Sequence, residues 1–126
     1  MKTKLVAFVA AVAILAAAAP VSAHHSFTAE FNAAKSITLT GVVTKVQWMN
    51  PHAYFYIDVK DPDTGKVLSW ATELDGPNQL MRRGWTRETL KVGMVVTVEG
   101  FQARDGSNKA NAKNITVDGK KVGAPQ

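Results

Sequence analysis

The stretch Trp48-Met49-Asn50-Pro51-His52-Ala53-Tyr54-Phe55-Tyr56-Ile57-Asp58-Val59 decides the fold. Asn50-Pro51 is a turn signal between two strand-like runs. In the second run Ala53, Phe55, Ile57 and Val59 share one face and His52, Tyr54, Tyr56 and Asp58 the other, because successive side chains of a strand point to opposite sides. The apolar face belongs in a core. The aromatic and ionisable face is the first candidate for function.

Upstream, Ile37 to Trp48 also alternates, with a change of phase. Ile37 and Leu39 fall on odd positions, Val42, Val46 and Trp48 on even ones, and Gly41 stands between the two sets. A glycine at such a switch suits a bulge or a sharp bend, so the run predicts one long bent strand. Downstream, Asp61-Pro62-Asp63-Thr64-Gly65 is a turn, and Lys66 to Leu74 a third strand with Leu68, Trp70 and Leu74 on one side. Matching apolar faces sets Phe55 opposite Trp70, Ile57 opposite Leu68 and His52 across from Glu73.

Pro77 fits the first position of a short helix ending in Arg82-Arg83, with Gly84 past its end and Thr86 able to cap a further turn. Thr89 stands where a full capping box wants Glu or Gln. Met94 to Gln102 resumes strand alternation, with a bend at Gly100. Asp105-Gly106-Ser107 turns the chain into a last strand through Ala110, Ala112, Ile115 and Val117, and Asp118-Gly119 makes a tight turn before a lysine-bearing tail. Three strands, a short helix and two strands predict an all-β protein, an OB-like five-stranded barrel in the order β-β-β-α-β-β, with Trp85 plugging one end. An open sandwich or half-barrel is the alternative.

The chain begins with the basic Met1-Lys2-Thr3-Lys4, continues as an uncharged apolar segment to Ala19, and reaches Pro20-Val21-Ser22-Ala23. That order predicts a secretory signal peptide over 1–23, cut after Ala23, and a periplasmic or secreted location. The apolar run is shorter than the roughly 20 residues a membrane-spanning helix needs, so an integral membrane protein is not expected. The domain division is then 1–23 signal, 24–36 an extended segment, 37–122 the barrel and 123–126 a tail. About 100 residues remain after cleavage, enough for one modest core. Loss of Lys2 and Lys4 lowers the formal net charge of +5 by two, which does not mark a nucleic-acid binder. With no cysteine in the chain, disulfides, thiolate metal sites and cysteine nucleophiles are excluded.

The histidines are His24, His25 and His52. Cleavage after Ala23 gives His24 both an α-amino nitrogen and an imidazole, and His52 offers a third nitrogen, with His25 or Glu73 as further ligands. Copper(II) favours nitrogen-rich planar sets and heads the divalent affinity order. The competing view is that His24 and His25 are frayed terminal residues, while His52 bonds Glu73 or caps the Asn50-Pro51 turn. A second constellation, Tyr54, Tyr56 and Asp58 on the outer face of strand two, lies where OB barrels bind ligands by stacking. Against it, tyrosines are ordinary residues of half-exposed strands. Arg82, Arg83, Arg87 and Lys91 form a basic cluster around Gly84-Trp85 that suits an acidic partner or lipid headgroups, or simply a solvated helix end. No serine has a nucleophile-elbow context and no carboxylate pair is marked as acid and base, so no enzyme is expected. The expected partner is a metal ion, a small ligand or an envelope protein.

His24-His25-Ser26-Phe27, Glu30-Phe31, Leu39-Thr40-Gly41, Trp48-Met49-Asn50-Pro51-His52, Gly84-Trp85-Thr86-Arg87 and Asp105-Gly106-Ser107 together resemble a family of small exported bacterial proteins known only as a domain of unknown function. The resemblance covers nearly all of the chain after the signal. It implies export and a small β domain, makes the three histidines part of a recurring pattern, and assigns no activity. Where that family often has serine before the helix proline, this chain has Gly76, which implies an N-cap weaker by a few tenths of a kcal/mol.

Overall fold

The first strand, β1 (Phe31–Gln47), is long because it pairs along its length with two different strands. The structure, a computed structural model, describes residues 27–122. Residues 27–30 are helical and fall outside the unit that holds the sheet, Phe31–Gln126. The predicted signal peptide, His24, His25 and the tail 123–126 lie outside the described residues.

The elements of the sheet-bearing unit are β1 (Phe31–Gln47), β2 (Tyr54–Lys60), β3 (Val67–Glu73), helix α1 (Pro77–Arg82), β4 (Val95–Ala103), β5 (Lys109–Val117) and a two-residue β6 (Lys120–Lys121). Their order in the sheet is β3-β2-β1-β4-β5-β6. All neighbours are antiparallel, and a short parallel pairing of β3 with β5, Ala71 to Lys109 through Glu73 to Asn111, joins the ends. The first five strands thus form a ring around one core, as expected of an OB-like all-β chain with one short helix.

Three details differ from the sequence reading. β1 starts at Phe31, six residues before Ile37, and Phe31 is buried. The phase switch lies at Thr44, not at Gly41: the inward odd series runs through Val43, which is 1% exposed, Val42 is exposed, and the pairing with β2 shifts between Val43 and Lys45. Adjacent valines at 42 and 43 satisfy either phase, which hid the position. Gly41 answers to a different constraint, because a Cβ there would run into the Asp58 backbone carbonyl of β2.

The β2–β3 register is also two residues from the expected one. Phe55 faces Thr72, Ile57 faces Trp70 and Val59 faces Leu68, while Tyr54, not His52, sits opposite Glu73. Apolar matching could not see this because Thr72 takes an inward place, fully buried, with an unpartnered hydroxyl. The turn before β3 is as expected: Asp61 Oδ1 accepts the backbone N–H groups of Asp63 and Thr64.

The core is built from Val43, Phe55, Ile57, Trp70, Val96, Val98 and Ile115 of the strands, closed at one end by Leu80, Trp85 and Leu90. Burial of each large side chain stabilises by about 1.5–3 kcal/mol, which is how this chain holds together without disulfides. Trp85, at 5% exposure, takes the expected plug position. The turn after it has a reciprocal cap, since Thr89 Oγ1 accepts the Thr86 N–H and Thr86 Oγ1 accepts the Glu88 N–H. Threonine therefore does the work expected of Glu or Gln at that position.

Candidate functional site

Two rows of side chains cross the outer face of the ring where β1, β2, β3 and β5 run side by side. One row is Lys45, Tyr56, Ala71 and Lys109; the other is Gln47, Tyr54, Glu73 and Asn111. Glu73 is the chemically distinctive member, a carboxylate on a residue only 5% exposed. Its Oε2 accepts the Tyr54 hydroxyl at 2.8 Å and lies 3.6 Å from Lys109 Nζ; its Oε1 lies 3.7 Å from His52 Nδ1. Lys109 Nζ sits 5.5 Å from the ring centres of both Tyr54 and Phe31. A buried carboxylate needs such partners, since an unpaired one is strongly destabilising.

His52 immediately precedes this grid. Ala53 pairs with Leu74 through the Leu74 N–H to Ala53 carbonyl bond, which extends the ladder by one step and brings the imidazole to the Leu74 carbonyl. Nδ1 is 3.0 Å from that oxygen. A carbonyl can only accept, so Nδ1 carries the proton and the lone pair of the neutral ring is on Nε2. The His52 side chain is 46% exposed and so open to solvent.

The predicted residues thus separate. His52 and Glu73 are brought together by a register different from the expected one. Tyr54 joins them through its hydroxyl, whereas Tyr56 is engaged with Gln47 Oε1 at 3.0 Å and lies under Lys45 Nζ, 5.4 Å from the ring centre. Asp58 is exposed further along β2. Among the described residues no group of three or more His, Asp or Glu side chains is placed to hold a metal ion. Sequence reasoning missed Lys109 and Phe31, whose approach depends on the parallel β3–β5 pairing that no local pattern signals.

On the other side of Pro51 the chain lines an open cleft of about 460 Å³ with Trp48, Asn50, Pro77, Met81, Trp85 and Arg87. The Asn50–Pro51 peptide bond is cis. Gly76, just before α1, has no side-chain cap, and a Cβ there would lie 2.6 Å from the Pro51 carbonyl oxygen. Glycine at 76 therefore allows the turn and the helix to approach closely, a role the capping argument did not foresee. The basic cluster is not one patch: Arg83 pairs with Asp75, Lys91 with Glu88, and Arg87 lies over the Trp48 ring, 5.9 Å from its centre.

Residues 11–114 match a family of unknown function (DUF6152). The chain belongs to that family. A comparison with curated proteins gives no match. Among solved structures, the mitochondrial single-stranded DNA binding protein Rim1 of S. cerevisiae is similar at a TM-score of 0.51 and 14% identity, over 67% of this chain and 93% of that one. The ZRD-deleted mutant of TiaS in complex with agmatine gives a TM-score of 0.48 at 25% identity, over 72% of this chain; the chain spans only 22% of its length. The likeness to Rim1 concerns the fold alone. Among the described residues no helix is long and apolar enough to cross a membrane.

Proposed function

We propose that this is an exported, non-enzymatic binding protein whose ligand is copper(II) or a related transition-metal ion, held by the mature amino terminus and His52. The observation that carries this reading is the Nδ1 contact of His52 with the Leu74 carbonyl at 3.0 Å. Metal-binding histidines commonly donate the far ring N–H to a carbonyl, which fixes the tautomer and makes the other nitrogen the donor. In this chain Nε2 is that nitrogen. Removal of residues 1–23 supplies the rest, because His24 then offers its amine and its imidazole as a chelate, with His25 beside it. Glu73, the other candidate ligand beside His25, has its oxygens facing Tyr54, Lys109 and the Nδ1 edge of His52, which supports a role in steadying the ring. Since the free amine has an ordinary pKa of about 7.7–8.0 and must lose its proton to bind, affinity falls as pH falls.

The other reading, a metal-free module binding a small ligand or an envelope protein through Tyr54, Tyr56 and Asp58, has less support. Both tyrosine hydroxyls are engaged within the fold, and cations already lie over both rings.

Copper(II) titration of the protein beginning at His24, followed by calorimetry and by the visible absorption of the complex, tests the proposal. Tight one-to-one binding that is lost when one extra residue precedes His24, and weakened by His52→Ala, is the expected result. Failure of the native-terminus form to bind overturns the metal reading, and full binding by His52→Ala removes His52 from it.

A further inference from the structure

Two motifs remain outside the metal proposal, Trp48-Met49-Asn50 and Trp85-Thr86-Arg87, and they line the same cleft. About 460 Å³ is the size of a site for a small organic molecule. Its apolar walls are the two indoles and the exposed thioether of Met81, and Asn50 adds a side-chain amide. Among the described residues, Arg87 is its only charged lining group. The guanidinium rests over Trp48 and has no carboxylate partner among the described residues, in contrast to its neighbours Arg83 and Lys91.

We infer that this cleft binds a small carboxylate with a flat, apolar body. Stacking on an indole leaves the N–H edge of a guanidinium available, and a carboxylate meets that edge with two parallel, charge-assisted hydrogen bonds. The body of the ligand then covers the exposed part of Trp48 and Met81 and meets the one edge of the buried Trp85 that reaches the cleft, which is apolar surface a neutral polar molecule would bury less well. Charge complementarity selects an anion, and the aromatic walls select a ring over a branched chain. The inference does not depend on the metal site, because neither His52 nor its contacts Leu74 and Glu73 line the cleft.

The probe is naphthalene-2-carboxylate, with its neutral primary amide as the control, added to the metal-free protein. Binding is measured by calorimetry and by the indole N–H resonances of the three tryptophans, Trp48, Trp70 and Trp85. The expected result is saturable binding of the acid that shifts Trp48 and Trp85 but not Trp70, with the amide weaker by about tenfold, as loss of a charge-assisted bidentate pair implies. In a folded Arg87→Ala variant, acid and amide should bind alike. Equal affinity of the parent for acid and amide, an acid preference that survives Arg87→Ala, equal shifts at Trp70, or no saturable binding overturns the inference.

Discussion

The two flanks of the Asn50–Pro51 turn are built on opposite plans. On the His52 side the buried polar groups are matched to one another: Glu73 accepts the Tyr54 hydroxyl and lies near Lys109 and His52, and the His52 Nδ1–H donates to the Leu74 carbonyl, with Nε2 left towards solvent. On the Trp48 side a cation rests over an indole with no carboxylate partner among the described residues, above an open cleft. The first flank is a network whose parts hold each other. The second is an open surface with one cation–π contact. The same operation, deletion of a charge or a ring, should therefore have very different consequences on the two sides.

The largest effect expected is within the cleft itself, where its two indoles differ in burial. Trp85→Ala removes a core plug and should cost about 3–5 kcal/mol in denaturant unfolding, whereas Trp48→Ala, at a half-buried wall, should cost clearly less. Equal losses would mean that Trp48 belongs to the core and that the cleft has no separate wall. Next, Glu73→Ala should cost about 2–3 kcal/mol, because it removes a buried carboxylate that accepts the Tyr54 hydroxyl and faces the Lys109 ammonium, and leaves a void in its place. Tyr54→Phe should lose about 1 kcal/mol by the same measurement, the worth of one hydrogen bond to a buried carboxylate. Arg87→Ala should change stability by less than about 0.5 kcal/mol, as for an exposed side chain outside any network. A loss at Arg87 as large as that at Glu73 would erase the contrast.

The pH dependence gives a smaller and more general check. Backbone N–H groups of Thr64 and Asp63 hold the Asp61 carboxyl below its ordinary value of 3.8. A carboxyl depressed in the folded state contributes stability above its unfolded pKa and loses it as pH falls through the folded one. The Asp61 contribution should thus be intact above about pH 4 and fade only below it, and Asp61→Asn should flatten that acid limb in a pH series of unfolding midpoints.

The inward face of β2 was legible because Ala53, Phe55 and Ile57 alternate without exception, and all three are completely buried. The turn at Asp61, the helix from Pro77 and the plug at Trp85 were legible for similarly local reasons. The β2–β3 register was not, since the deciding inward residue, Thr72, is polar and gives no apolar signal. For the candidate site, sequence found His52, Tyr54 and Glu73 but not how they connect. Lys109 reaches Glu73 only because β5 comes alongside β3 at Ala71–Glu73, more than thirty positions earlier in the chain, a closure set by the ring as a whole. Arg87 was read as part of a charge cluster because a stretch of sequence shows charges but not the indole beneath one of them.

The close approach at Gly76 holds the Pro51 turn against the start of the helix. Asn50 adjoins the Pro51 carbonyl and Pro77 adjoins Gly76, and both line the opening. A serine at 76, as the family resemblance implies for other members, must push those two walls apart to admit its Cβ. One position with no side chain thereby acts as a spacer gauge between the turn and the start of the helix.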